Sequence, residues 1–374
     1  MIHPEQLYET FEQHDMTFFA GVPDSLLKDF CAYITDNVDS RNNITAANEG
    51  NAIGLASGYH LATGKIPVVY MQNSGLGNCV NPLTSLTDKH AYSIPMLLVV
   101  GWRGEPGKKD EPQHIKKGMV TLGLLNTLGI QYGILPDSVE EAEKLVKKAH
   151  THMKEHNEPY AIVVRKGTFE GYKLQKTIET DFAFSREDAV KCIASLLDDQ
   201  DIVVSTTGKT SRELFEFRAA NDAGHHRDFL TVGSMGHSSS IALGIALQKP
   251  DRQVYCLDGD GALIMHMGAL SSVGQQQPKN FKHIVFNNFA HDSVGGQPTA
   301  ADVISIPEIA RHNGYTTVLA AETEEEIRTG MIQLKEVEGP ALLEIRVNRG
   351  ARKDLGRPTR TPLENKADFM GHVK

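Results

Sequence analysis

Two short words in the second half of the chain carry the most chemistry. Gly259-Asp260-Gly261 is followed, after 25 residues, by Asn287-Asn288. Each word ends an apolar, strand-like run, and open α/β sheets bind ligands at the carboxyl ends of their strands. If the two strands are neighbours, one carboxylate and one amide oxygen come side by side. These are hard oxygen donors, and together with phosphate oxygens they suit octahedral Mg2+. The glycines let backbone N–H groups and a helix N-terminus approach an anion. In the first half, Asn48-Glu49-Gly50 sets a carboxylate at a strand-to-helix turn, ahead of a helix of small residues. Taken alone, Glu49 either does chemistry there or complements a helix N-terminus. Gly233-Ser234-Met235-Gly236-His237 and Thr206-Thr207-Gly208 end two further strand-like runs. Gly208-Lys209-Thr210 looks like the end of a nucleotide P-loop, but Val203 stands where that motif needs its first glycine.

These residues need a scaffold, and the pattern predicts one. Short apolar runs alternate with amphipathic helices, the signature of parallel α/β layers. In the first block the expected strands are 16–20, 43–47, 66–72, 95–101 and 160–165. Helices are expected over 4–14, 49–63 and 139–155, with Gly64 as a C-cap. Asp24 reads as the N-cap of another helix that carries Leu26, Leu27, Phe30 and Ile34 on one side. Residues 73–78 read as a loop that brings the backbone close to something. Around 167–185 the periodicity lapses, which predicts a boundary between domains 1–180 and 181–374. The second block predicts strands at 201–205, 229–232, 253–257, 281–286, 315–320 and 340–347. A single helix over 262–274 is expected to join the third of these to the fourth. The expected fold class is α/β, with two domains, each a mostly parallel sheet flanked by helices.

Composition narrows the function. The 374 residues hold 38 Lys or Arg against 47 Asp or Glu, a formal charge of −9. That balance disfavours a broad surface for nucleic acid or anionic membrane, while leaving room for a small basic pocket. The four cysteines are scattered and form no C-x-x-C, as in a reducing compartment. No apolar run is long enough to span a bilayer, and the start has no cationic region followed by an apolar one. The expected location is cytoplasmic, with no nucleic-acid or membrane partner.

Together the words resemble the diphosphate-binding signature of thiamine diphosphate (ThDP) enzymes. The resemblance implies that Asp260, Asn288 and the main-chain carbonyl of Ala290 hold Mg2+, with Asn287 structural. It implies that Thr207, Gly208, Gly259, Gly261 and Ala262 lie around the cofactor's diphosphate, while His291 and Asp292, just after the metal loop, are candidates to contact the diphosphate or to relay protons. It makes Glu49 the catalytic carboxyl that hydrogen-bonds N1′ of the aminopyrimidine. Met235 becomes the apolar wedge under the cofactor, with Gly233 or Ser234 supplying a carbonyl to the 4′-amino group. The two halves become a pyrimidine-binding (PYR-type) and a diphosphate-binding (PP-type) domain, without the middle domain of longer relatives. Segments 21–25, 45–50, 102–107, 258–268, 290–299 and 352–358 resemble the phosphonopyruvate decarboxylases, with the sulfopyruvate decarboxylases beside them. This implies decarboxylation of a small anionic 2-oxoacid in a homodimer or higher oligomer, with sites at subunit interfaces.

Such a substrate needs cations. Residues 346–374 hold eight Lys or Arg. Arg352, Lys353 and Arg357 are candidates to bind the substrate anion, and a solvated basic tail explains them equally well. Arg103, Lys108, Lys109, His114, Lys116 and Lys117 form a second cluster, read as a Gly/Pro-rich lid loop. Asp24 and Ser25 are candidates to line the substrate end. A non-catalytic ThDP-fold subunit is the competing class, and Glu49 together with Asp260 and Asn288 in one chain speaks against it.

Overall fold

The computed structural model describes all 374 residues. They form two compact units, Met1–Thr177 with Ser293–Gln297, and Ile178–Asp292 with Pro298–Lys374.

The first unit opens with α1 (Pro4–Gln13), β1 (Phe19–Gly21), α2 (Lys28–Asn37), β2 (Asn43–Thr45) and α3 (Glu49–Thr63). It continues with β3 (Val68–Gln72), a 3-10 turn (Asn73–Gly75), α4 (Leu76–Pro82), a π-helical turn (Leu83–Thr87) and β4 (Leu97–Gly101). It closes with α5 (Pro112–Thr127), β5 (Gln131–Ile134), α6 (Val139–His156) and β6 (Tyr160–Val164). All six strands are parallel, in the order β2-β1-β3-β4-β6-β5. The interior strands β4 and β6 are buried at every position, as a covered parallel sheet requires. One face packs Phe19, Tyr70, Leu97 and Ile162 under α1, α2 and α6. The other packs Ala20, Met71, Val100 and Val163 under α3, α4 and α5.

The second unit runs α7 (Arg186–Leu196), β7 (Ile202–Ser205), α8 (Lys209–Ala220), β8 (Asp228–Leu230), α9 (Ser238–Gln248) and β9 (Val254–Gly259). There follow α10 (Asp260–Met265), α11 (Ala269–Gln276), β10 (Phe281–Asn287), α12 (Ile306–His312) and β11 (Thr317–Ala321). Last come α13 (Glu324–Glu336), β12 (Ala341–Arg346) and α14 (Pro362–Val373). Its six parallel strands are ordered β11-β12-β10-β9-β7-β8. No helix in either unit is long and apolar enough to cross a membrane.

Several local expectations change. Asp24 caps no helix: α2 begins at Lys28 with Leu27 as its N-cap. Residues 73–82 are helical rather than a loop. The stretch read as one helix over 262–274 is two, broken at His266–Gly268. The segment read as a lid loop turns helical at Pro112, so Lys116 and Lys117 sit on α5. The strand β5 and the helix α14 were not expected. A capping box starts α14: Thr361 accepts from the Glu364 N–H, and the Glu364 carboxylate accepts from the Thr361 N–H.

Candidate active site

In the second unit, four turns leave the carboxyl ends of four consecutive strands, β8, β7, β9 and β10. They carry Gly233 to Met235, Thr207 with Gly208, Gly259 to Ala262, and Asn288 to His291. Register explains the closeness of the two words: Gly259 aligns with Phe286, so Asp260 emerges beside Asn287 and Asn288. The Asp260 carboxylate is buried and accepts a 2.6 Å hydrogen bond from the Thr299 hydroxyl. Burial pushes its pKa up to about 7. Asn287 is structural, giving its amide to Glu344 at 2.8 Å and accepting from the Phe289 N–H. Asn288 donates to Asp292 at 3.0 Å and accepts from the Ala290 N–H at 3.1 Å. Ala290 faces Pro298 in an isolated antiparallel bridge, and a proline has no N–H to offer its carbonyl. Phe289, at φ +57°, makes the reversal between them.

Glycine is required at one of these turns. A Cβ on Gly261 would lie 2.9 Å from the His291 ring. Burial lowers the His291 pKa to about 4, so this imidazole is neutral at physiological pH. Gly208, at φ +106°, is the N-cap of α8, and Thr207 accepts from the Gly233 N–H at 3.0 Å. Gly233, Ser234 and Gly236 all have positive φ, and Met235 is half-buried between them. Around this end of the sheet the buried hydroxyls of Thr206, Thr231 and Ser238 have no hydrogen-bond partner. Buried hydroxyls are rarely left orphaned, and a polyanion would satisfy them. Hard oxygen donors, orphaned hydroxyls and a neutral imidazole fit a metal–diphosphate group.

In the first unit, Glu49 is the first residue of α3 and is buried. The Asn48 side chain caps the helix by accepting from the Asn51 N–H at 2.9 Å. Asn78 donates to the Glu49 carboxylate at 2.7 Å. The carboxylate arm lies on Gly75, where an added Cβ would come within 2.4 Å of it. This is what the backbone of 73–78 approaches.

Comparison with known proteins agrees with this geometry. Residues 3–121 match the family described as "Thiamine pyrophosphate enzyme, N-terminal TPP binding domain", and residues 206–345 match its C-terminal counterpart. A phosphonopyruvate decarboxylase of Streptomyces viridochromogenes is 33% identical over 96% of this chain and 91% of its own. The chain belongs to the phosphonopyruvate decarboxylase family. Another relative of that name, from Streptomyces hygroscopicus, is 34% identical over 93% of this chain and 88% of its own. A sulfopyruvate decarboxylase of Methanosarcina acetivorans is 30% identical over 80% of each chain.

Within each unit, further residues have partnerships that no local pattern announces. Asp24 is wholly buried and accepts from Gln72 at 2.7 Å. Burial raises its pKa, against the hydrogen bond from Gln72 and the charge of Arg103. Ser25 accepts from the Arg103 guanidinium at 2.7 Å. Arg103 in turn grips Asp110 with two nitrogens. Asp292 ties the loop that carries Asn288 down, accepting from Asn288, from Arg186 at 3.2 Å and from the Gly350 N–H at 2.8 Å. Arg352, Lys353 and Arg357 are exposed, in the segment between β12 and α14. The Arg352 guanidinium is occupied by Glu187 at 3.0 Å, Asp354 at 3.1 Å and Glu216.

Proposed function

We propose that the chain catalyses ThDP- and Mg2+-dependent decarboxylation of 3-phosphonopyruvate to phosphonoacetaldehyde and CO2. The observation that carries this reading is the meeting of Asp260 and Asn288 at the ends of paired strands, beside orphaned hydroxyls. The names of the two Streptomyces relatives support the substrate. In this reading 1–180 is the pyrimidine-binding domain and 181–374 the diphosphate-binding one. Asp260, Asn288 and the Ala290 carbonyl would hold Mg2+. Thr207, Gly208, Gly259, Gly261, Ala262 and His291 would surround the diphosphate. Gly233, Ser234 and Met235 would support the aminopyrimidine, and Glu49 would hold the proton at its N1′. When bound, the cofactor would supply a nucleophilic carbon and a sink for the electron pair that the departing CO2 leaves behind.

The chain's own contribution is preorganisation. Gly75 and Asn78 aim the Glu49 carboxylate; Thr299 and Asp292 fix Asp260 and Asn288. Asp24 and Ser25 would line the substrate end. Arg352, Lys353 and Arg357 would offer cations, of which Arg352 must first release its carboxylates. The protein is proposed to be a cytoplasmic homodimer or larger assembly, and a fully active monomer in sedimentation would refute this.

An aldehyde-release assay with phosphonopyruvate, with and without ThDP and Mg2+, tests the reaction. Product formation that requires both additions is expected; none with both present overturns the reading. The Methanosarcina relative favours sulfopyruvate as the second reading. A clear preference in kcat/KM for sulfopyruvate would replace the first with it. Glu49→Gln should bind cofactor yet lose most turnover; full activity would remove Glu49 from the mechanism.

A further inference from the structure

A pyruvate with a phosphonate or sulfonate at C3 carries two anionic groups. The basic residues that stand out in the sequence are largely spoken for. Arg103 is held by Asp110, and Arg352 by three carboxylates. Lys108, Lys109 and Lys116 are exposed.

Lys117 differs from all of these. It is half-buried on α5 and forms no ion pair or hydrogen bond through its ammonium. Burial lowers its pKa, and the one charge opposing that shift is Glu49. The lysine thus sits within electrostatic reach of the proposed catalytic carboxylate without being neutralised by it.

Its position is enforced. The Trp102 indole donates to the Gly118 carbonyl at 2.9 Å, and Asn73 donates to the Thr121 hydroxyl at 2.9 Å. A Cβ on Gly118 would overlap the Gly104 carbonyl oxygen, at 1.6 Å. A Cβ on Gly104 would meet the His114 carbonyl at 2.0 Å. The helix is therefore clamped at 114, 118 and 121, on either side of Lys117, onto the turns that leave β3 and β4. Those turns lie at the same end of the sheet as Glu49. A cation withdrawn from water with no counter-ion is costly, and an arriving oxyanion recovers that cost.

We propose that Lys117 holds the second oxyanion, the phosphonate or sulfonate at C3, and so selects doubly anionic 2-oxoacids over pyruvate. This rests on the decarboxylase reading above. A lysine suits the task, because its compact ammonium binds as a point charge and asks for no planar partner.

The test compares wild type, Lys117→Met and Lys117→Arg on phosphonopyruvate, sulfopyruvate and pyruvate. A charged hydrogen bond of this kind accounts for about 10- to 100-fold in binding. The ratio of kcat/KM for the dianions over that for pyruvate should fall by about that factor in Lys117→Met, mostly through KM. Lys117→Arg should recover part of it. Competitive inhibition by 3-phosphonopropionate should weaken in parallel. Should Lys117→Met fold poorly, Lys117→Gln carries the same expectation. An unchanged ratio, or an equal loss on pyruvate, overturns the assignment while leaving the decarboxylase reading intact. Wild type inactive on every 3-substituted pyruvate would overturn both.

Discussion

The side chain of Glu49 lies directly on Gly75: a Cβ at 75 would sit 2.4 Å from both its Cγ and its Oε1. The smallest residue is thus what seats the carboxylate, and Asn78 completes the seat from the next turn. Gly75→Ala should push the arm aside without emptying or overfilling the core. A misplacement of about 1 Å at a reacting group can cost about 100-fold. We expect kcat to fall by that order in Gly75→Ala, with ThDP affinity and the thermal midpoint near wild type. Wild-type kcat in this variant would show that the contact does not position Glu49.

Asp260 is a buried carboxylate whose side-chain hydrogen-bond donor is a single hydroxyl, Thr299. A buried anion without a cation costs stability. Asp260→Asn should therefore leave the ligand-free protein at least as stable as wild type. It should also abolish the stabilisation that Mg2+ and ThDP together confer. Thermal melts with and without both additions measure this, and an undiminished Mg2+-dependent shift would remove Asp260 from the metal site.

Much of this arrangement could be read from local pattern. The strand ends at Gly259 and Asn287 follow from apolar runs bounded by turn residues, and their pairing follows from the short connection between them. The helix over 49–63 has its cap at both ends. What escaped depends on contacts distant along the chain. Asp24 has the form of a helix cap, yet its carboxylate bonds Gln72, 48 residues away. Gly75 and Asn78 have meaning only once α4 is laid against the start of α3. The stretch 102–117 is rich in glycine, proline and charge, which reads as loop. Its helical half is held by glycine-on-glycine packing between 104 and 118, which no periodicity encodes. Asp292 stands out in the sequence beside Asn288, but its binding of Arg186 and of the Gly350 N–H depends on residues distant along the chain.

Asp110 gives a pH signature. Burial alone would raise its pKa, but hydrogen bonds from Arg103, the Glu111 N–H and the Gly104 N–H hold it well below the usual carboxylate range. The folded state therefore favours the ionised form. Its contribution is complete above an ordinary aspartate's pKa of about 4 and is lost as the pH falls further toward the folded value. Partial exposure limits it to on the order of 1 kcal/mol. Wild type should be more stable than Asp110→Asn at pH 7, and the gap should shrink steadily between about pH 4 and pH 2. A gap that persists unchanged at pH 2 would mean that the ion pair is not its source.

Arg186 joins a stability device to the loop that carries Asn288. It pairs with Glu213 through two nitrogens at 2.9 and 3.0 Å, and the Glu213 side chain is wholly buried. It also reaches Asp292, which holds the Asn288 amide. Arg186→Ala strands the Glu213 charge, a change that costs about 3–5 kcal/mol. The double variant Arg186→Met/Glu213→Leu replaces the pair with apolar volume and should recover most of that stability. It does not restore the grip on Asp292, so the Mg2+ affinity should stay below wild type in the single and the double variant alike. Urea unfolding and Mg2+ titration in the presence of ThDP separate the two effects. If the double variant recovered both stability and Mg2+ affinity, Arg186 would be a stabilising partner of Glu213 and nothing more.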